Sequence, residues 1–337
     1  MRTDVIVNTT ARLYAARPRL VERLHRAAGS SARVHETATL AALDAAAGRI
    51  AAAGSDLVVL SGGDGTFMAG VTALARAFGE ARLPRLALLP GGTVATVARN
   101  WGFVGDPVDL LTRLLQTGEN LRFTPRPTLR VTGWSGGLLT SDDDDDERLG
   151  FIFGTGLVAS FFDVYYARGA RGYAGAARIV ARIFAESFWG GALARRVLAP
   201  LPCTLEVDGR PLAPQAWSLI CAAVVRDLGL HMRVTYRAGE DPGRPHLVAS
   251  PLPSRQLGPR APRVLAGRTI GGEGHFDDLV REFVVRFPGG SGPYVLDGDI
   301  LHAGAVRVGA GPVLEVAAPL SDGGDSVPAA AARGPRS

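Results

Sequence analysis

The sequence predicts two domains: an α/β N-terminal domain built on a parallel sheet, and a mainly β, sandwich-like C-terminal domain. Three observations carry this. Asp56 to Val71 (DLVVLSGGDGTFMAGV) runs from an apolar strand through a glycine-dense turn into helix-compatible sequence, and Leu86 to Trp101 repeats that pattern one helix later. Near Pro125-Arg126-Pro127 the grammar changes, and beyond it short strands and turn residues crowd together. Finally, 337 residues, 47% of them hydrophobic, exceed a typical single domain and can fill two cores.

In chain order, Val5 to Asn8 reads as a strand and Arg17 to Ala28 as a helix ending near Gly29. Val34 to Thr37 is the second strand, and the alanine-rich Leu40 to Ala53 is a helix closed by Gly54. Leu57 to Leu60 suits a strand buried on both faces, and helix Phe67 to Phe78 follows it. Strand Leu86 to Leu89, helix Val94 to Trp101 and helix Pro107 to Gln116 complete a domain spanning 1–125. Such alternation argues a parallel sheet, with both glycine turns at its carboxyl edge, where open α/β sheets bind ligands. In 126–302 the strands expected are Leu129 to Thr132, Gly150 to Phe153, Leu201 to Val207, Trp217 to Val225, His231 to Tyr236, His246 to Ala249 and Phe283 to Phe287. One helix, Ala174 to Phe188, interrupts them, and the Gly-, Ala- and Pro-rich 321–337 reads as a disordered tail.

Composition excludes several functions. The chain contains no lysine, so all 37 of its basic residues are arginine. A Walker A loop and a protein kinase both need a lysine, so neither is present. Net charge is +5, but the arginines form no cluster with interleaved aromatics, and no nucleic-acid partner is expected. No apolar run approaches the roughly 20 residues of a membrane span. The opening MRTDVIVNTT enters a strand directly, so no signal peptide is expected, and two cysteines fit a reducing cytoplasm.

Gly62, Gly63 and Gly65 permit positive φ and close approach of the main chain to a ligand. Successive amides leading into a helix form a cradle for anionic oxygens. Asp64 inside it would repel bare phosphate, which points to a bound Mg²⁺, a substrate proton or a bracing hydrogen bond.

Gly62-Gly63-Asp64-Gly65-Thr66, then Pro90-Gly91-Gly92-Thr93 and Ala98-Arg99, resemble the diacylglycerol kinase catalytic-domain family, which includes bacterial lipid kinases and the sphingosine and ceramide kinases. Val5 to Asn8 resembles the family's first strand and Asn-Pro opening, with Thr9 where proline is usual. The resemblance implies ATP with Mg²⁺, and nucleotide contacts at Asn8, Thr37, Gly62 to Met68, Gly92 and Thr93. It implies that Pro312 to Pro319, within 303–320, returns to complete the first domain, and that Asp297-Gly298-Asp299 stands where the family has Asp-Gly-Glu. Asp299 is then the general base for a lipid hydroxyl, with Asp64 organising metal or phosphate. Aspartate is about 1.5 Å shorter than glutamate, and Ala95-Thr96 replaces the Asn-Asp of many members. Asp241 lies near where bacterial relatives bind a structural Mg²⁺.

Other features have plainer readings. Asp142 to Asp146 reads as a solvated loop, Asp208-Gly209-Arg210 as a hairpin turn, and His231, His275 and His302 lack ligand spacing. Gly154 to Ala159 imitates a dinucleotide fingerprint but falls in the substrate domain. Tyr165 to Arg196 mixes arginines and aromatics as a membrane-surface segment does, though an amphipathic helix on its own core looks the same. The resulting expectation is an ATP-dependent lipid kinase acting on diacylglycerol, a sphingoid lipid or a similar alcohol. It would be cytoplasmic, peripheral to a membrane, and a homodimer is open to it. An NAD kinase-like enzyme and a catalytically degenerate nucleotide- or lipid-binding protein are the alternatives.

Overall fold

The computed structural model describes residues 1–92, 94–135, 147–167, 169 and 172–318. Thr93, the acidic run Asp142 to Asp146 and the 321–337 tail lie outside the described residues.

The first domain contains β1 (Thr3–Asn8), α1 (Arg12–Ala16), α2 (Arg19–Ala28), β2 (Arg33–Thr37), α3 (Leu40–Ala53), β3 (Leu57–Gly62), α4 (Asp64–Phe78), β4 (Arg85–Pro90), α5 (Thr96–Asn100), α6 (Pro107–Thr117) and β5 (Phe123–Arg126). Every residue of β3 is buried, as a central strand covered on both faces requires. Local caps fix the helix ends. Thr39 accepts from the Ala42 amide at 3.1 Å, Gly54 closes α3 in the left-handed region at φ 66°, and Asp106 accepts from Val108 N at 2.9 Å ahead of Pro107. Strands β1 to β4 run parallel in the order β2-β1-β3-β4, so their carboxyl ends share one edge.

The second domain follows with β6 (Leu129–Trp134), β7 (Glu147–Gly150), β8 (Ile152–Gly156), α7 (Leu157–Ala167), α8 (Gly172–Ser187), α9 (Ala192–Val197), β9 (Leu201–Pro202), β10 (Thr204–Val207), β11 (Arg210–Pro211), β12 (Ala216–Trp217), β13 (Leu219–Ala223) and β14 (His246–Ser250). Then come α10 (Ser254–Leu257), α11 (Ala261–Leu265), β15 (Phe276–Leu279), β16 (Glu282–Arg286), β17 (Gly292–Leu296), β18 (Asp299–Ala303), β19 (Ala305–Ala310) and β20 (Leu314–Ala317). Two antiparallel six-stranded sheets result, ordered β11-β10-β16-β19-β6-β7 and β15-β14-β13-β8-β17-β18. They meet where Phe153 of β8 packs edge-on to Phe283 of β16, ring centroids 5.5 Å apart. A helical layer covers the second sheet: Ile179 and Ile183 of α8, Val197 of α9, Leu257 of α10 and Val264 of α11 share a core with Leu219, Cys221 and Val248.

The chain then returns. β20 pairs parallel with β4 and antiparallel with β5, so the first domain's sheet contains a strand from the far end of the sequence. Within 303–320 the returning strand is Leu314–Ala317, whereas 305–310 belongs to the sandwich through β16 and β6.

Several boundaries differ from expectation. α4 starts at Asp64 rather than Phe67, so the glycine motif is a strand end and a first helical turn. α5 starts at Thr96, not Val94. His231 to Tyr236 is a turn rather than a strand, because Leu230 and His231 both take positive φ (54° and 58°) and lead the chain away from the sheet. Cys203 breaks Leu201 to Val207 by pairing its amide with Gln215 O at 3.1 Å.

Candidate active site

The glycines are needed for close approach, not for positive φ. None of Gly62, Gly63, Gly65, Gly91 or Gly92 has positive φ, a correction to the sequence reading. Instead the two loops lie main chain on main chain. Gly91 N donates to Gly62 O at 2.6 Å, and a Cβ on Gly92 would sit 2.5 Å from Gly63 Cα. A Cβ on Gly91 would meet the Tyr14 ring at 2.6 Å. Tyr14 is itself fixed by burial and by a hydrogen bond to Ser61, and burial pushes its phenol up to about 12.

Asp64, the first residue of α4, reaches across to the second loop. Its Oδ2 accepts from Thr96 N at 2.8 Å and its Oδ1 from Val97 N at 2.9 Å, so both oxygens satisfy the open amides of α5. Of the three roles open to it in the sequence, this is the bracing hydrogen bond. Burial raises its carboxyl pKa, and those two amides oppose the rise. Just before α5, Ala95 takes the left-handed conformation, φ 49° and ψ 55°, where asparagine is more at ease.

A polar cleft of about 500 Å³ opens at the carboxyl edge of the sheet. Asn8, Thr37, Gly63, Gly65, Thr66 and Gly92 all line it, bringing together residues as much as 84 positions apart in sequence, from Asn8 to Gly92. Asn8 Nδ2 donates to Thr66 Oγ1 at 2.9 Å, and Asn8 Oδ1 accepts from Thr10 N at 3.0 Å and Thr10 Oγ1 at 2.7 Å. Thr37 donates to Val7 O at 3.3 Å. Gly62 and Asp64 sit behind this surface rather than on it. Thr10, Arg12 and Thr39 also line the cleft and were not singled out from sequence. The neighbouring Asn8-Thr9-Thr10 motif was their only signal.

A second, apolar cavity of about 490 Å³ runs beneath the helical layer, lined by Leu157, Phe161, Val180, Ile183, Leu257 and Val264 among others. The Gly154 to Ala159 segment thus serves the substrate domain, with Gly154, Leu157 and Val158 on the cavity wall. At its polar end stand Asp64, Gly65, Asp297 and Asp299. Gly65 and Asp299 line both cavities, so the cleft and the apolar cavity meet at these two residues. A Cβ on Gly65 would come within 3.1 Å of Asp299 Oδ2, so glycine lets the carboxylate lie against the start of α4.

Asp297-Gly298 is a tight turn between β17 and β18, both residues at positive φ (49° and 95°). Asp297 is not merely a turn residue. It is buried, and it accepts from Phe151 N and Ile152 N at 3.0 Å each. Burial first, then the charge of Asp64, pushes its carboxyl well above the usual range. Asp299 accepts no hydrogen bond from the described residues. Desolvation raises its pKa, against the opposing charge of Arg148. Tyr166 closes the other side, its hydroxyl donating to Gly298 O at 3.0 Å.

Residues 2–122 match the family model of the diacylglycerol kinase catalytic domain. The first domain is thus similar to the diacylglycerol kinase catalytic domain. Solved structures carry the likeness through the second domain. Three from Bacillus anthracis str. Sterne, described as diacylglycerol kinases and two of them only provisionally so, superpose with TM-scores of 0.64, 0.66 and 0.60 at 14%, 13% and 13% identity. They cover 92%, 94% and 94% of this chain and 93%, 97% and 96% of their own. At that identity the likeness is one of fold, and the whole architecture, sandwich included, is diacylglycerol kinase-like. No curated protein sequence matches the chain significantly.

Outside these two cavities, Asp241 lies in an exposed turn, its Oδ1 accepting from Gly243 N at 2.8 Å and its Oδ2 3.9 Å from Arg244. It lines neither cavity. Among the described residues no group of three His, Cys, Asp or Glu side chains is arranged to hold a metal ion. His275 shares Asp277 with the buried His246, whose Nε2 lies 2.7 Å from Asp277 Oδ1, a cluster that ties β14 to β15. No helix among the described residues is long and apolar enough to cross a membrane.

Proposed function

We propose that the chain is an ATP-dependent lipid kinase that transfers the γ-phosphoryl group to the hydroxyl of a lipid alcohol such as diacylglycerol or a sphingoid lipid. The observation that carries this reading is the shared wall. A polar cleft with an amide-rich glycine floor and an apolar cavity of alkyl-chain size meet at Gly65 and Asp299. The cleft suits a nucleoside triphosphate because Gly63, Gly65 and Gly92 leave its wall bare of side chains, and the two loops approach so closely that a Cβ at Gly63 or Gly92 would lie 3.2 or 2.5 Å from the facing main chain. Thr66 and Arg12 offer donors to phosphate oxygens. Mg²⁺ is commonly held by one or two carboxylates plus phosphates and water, and Asp299 is the carboxylate at the junction that accepts no hydrogen bond from the described residues. When bound, the ion supplies charge neutralisation at the transferring group.

The chain's own residues do the rest. Asp299 accepts the proton from the lipid hydroxyl, the apolar cavity holds the chain and excludes water, and the glycine amides position the phosphates. Asp64 sets the position of the second loop by holding the start of α5. The NAD kinase alternative fits less well, because the cavity that adjoins the polar cleft at Gly65 and Asp299 is lined mainly by apolar side chains, whereas both halves of NAD are polar. The test is transfer from γ-labelled ATP with Mg²⁺ to lipid alcohols in mixed micelles, with NAD offered separately. Labelled lipid supports the reading. Labelled NAD, or nucleotide binding without any product, overturns it.

A further inference from the structure

Residues 151–166 run through β8 and α7 and hold the turn that presents Asp299 from two sides. On one side stands the start of β8. Asp297 N donates to Ile152 O at 3.0 Å, while the Asp297 carboxylate accepts from Phe151 N and Ile152 N. At the end of β8 the chain bends into α7. Gly156 permits the bend, because its φ is 65° and a Cβ there would lie 2.7 Å from Ser218 O, the carbonyl that also accepts from Leu157 N at 2.7 Å. The run Gly154 to Ala159, which imitates a dinucleotide fingerprint, is thus the bend that lays α7 against β17 and β18. On α7, Phe161 and Tyr165 stack with centroids 6.1 Å apart in the wall of the apolar cavity. Phe162 and Tyr166, 5.9 Å apart, reach the turn as well. The Phe162 ring stands 3.9 Å from where a Gly298 Cβ would be, and the Tyr166 hydroxyl donates to Gly298 O at 3.0 Å.

We infer that Tyr166 is a positioning residue for Asp299: its hydroxyl fixes the Asp297-Gly298 turn from the side of the apolar cavity and so keeps the carboxylate against Gly65, where the two cavities meet. The turn needs such a hold. Asp297 at φ 49° and Gly298 at φ 95° both lie in the left-handed region, which an aspartate keeps only where its surroundings impose it. Asp299 accepts no hydrogen bond from the described residues, so its place depends on the main chain that carries it. Burial, and then the charge of Asp299, raise the pKa of the Tyr166 phenol, which keeps its proton on and makes it a donor. The role of Tyr166 in transfer rests on the kinase reading, whereas its hold on the turn does not.

Tyr166→Phe removes the hydroxyl and keeps the ring. In the full chain, with γ-labelled ATP, Mg²⁺ and a lipid alcohol in mixed micelles, this variant should lower kcat about tenfold and leave KM for lipid and for ATP unchanged. Because the hydroxyl acts through Asp299, Tyr166→Phe combined with Asp299→Asn should transfer no more slowly than Asp299→Asn alone, whereas independent roles would multiply. Without nucleotide or lipid, hydrogen exchange of the main chain over 296–300 should quicken about tenfold in Tyr166→Phe while the rest of the chain keeps its protection. An unchanged kcat, a raised lipid KM in its place, a combined variant that multiplies the two losses, or unaltered exchange over the turn would each overturn the inference. A wild-type chain that phosphorylates no lipid fails the kinase reading instead, and the exchange measurement then decides by itself whether Tyr166 holds the turn.

Discussion

Three aspartates stand at the polar end of the apolar cavity, and their surroundings give them different work. Asp64 and Asp297 each accept two buried main-chain amides, whereas Asp299 accepts none among the described residues. Under the proposed kinase reading, Asp299 is therefore the one expected to take the hydroxyl proton. Its raised pKa sets the sign of the pH dependence: a general base acts ionised, so transfer should fall as pH drops through a value above the ordinary carboxylate near 3.9 and level off at higher pH. A pH profile of single-turnover transfer checks this, and an acid limb at or below the ordinary value would contradict it. The measured limb belongs to the coupled group, since Asp64 and Asp299 both act on Asp297. Gly92→Ala tests the close approach of the loops. Its Cβ would meet rigid main chain, so stability should fall by about 1–3 kcal/mol in urea unfolding and nucleotide affinity should fall with it. The glycine loops were legible because each is local to one strand end, and Asn8 and Thr37 were reached only through the family resemblance. The sequence left the bracing role of Asp64 as one of three, because the donors lie 32 and 33 residues away.

At the scale of elements, α5 is a short helix held from outside. Replacing Asp64 by alanine would leave the Thr96 and Val97 amides without their acceptor, destabilising the protein by roughly 2–4 kcal/mol. Chemical denaturation measures this directly, and a loss below about 0.5 kcal/mol would show that water replaces the carboxylate. Ala95→Gly should act in the opposite direction. Relieving the left-handed φ of 49° is expected to raise stability by about 0.5–1 kcal/mol. The strands of the first domain were legible because continuous apolar runs mark a doubly covered sheet. The early start of α4 was not, since Gly63 at its N-cap and Gly65 in its first turn argue locally against helix, and packing against the second loop decides the matter. Tight turns such as Asp297-Gly298 hid β17 and β18, whose alternation is short and interrupted.

Over the whole molecule, the chain leaves the first sheet after β5 and re-enters it at β20, and β5 pairs within that sheet only through β20. A fragment of residues 1–125 should therefore lack a native edge. Circular dichroism of that fragment is expected to show incomplete, weakly cooperative folding, improved when a 311–318 peptide is added; cooperative unfolding of the fragment alone at the stability of the full chain would contradict this. The two-domain plan was legible from the change in strand and turn spacing. The helical roof over the sandwich was less so, because α7 and α9 carry no strong periodic signal and the apolar cavity is assembled from five separate helices.

The most direct measurement compares nucleotide binding and single-turnover phosphoryl transfer to a lipid alcohol in the wild type and in Asp299→Asn. The account predicts near-unchanged affinity for ATP measured without Mg²⁺, with transfer reduced at least about a hundredfold, because Asp299 touches the polar cleft only at the junction with the apolar cavity. Transfer that persists at the wild-type rate in the variant would contradict it.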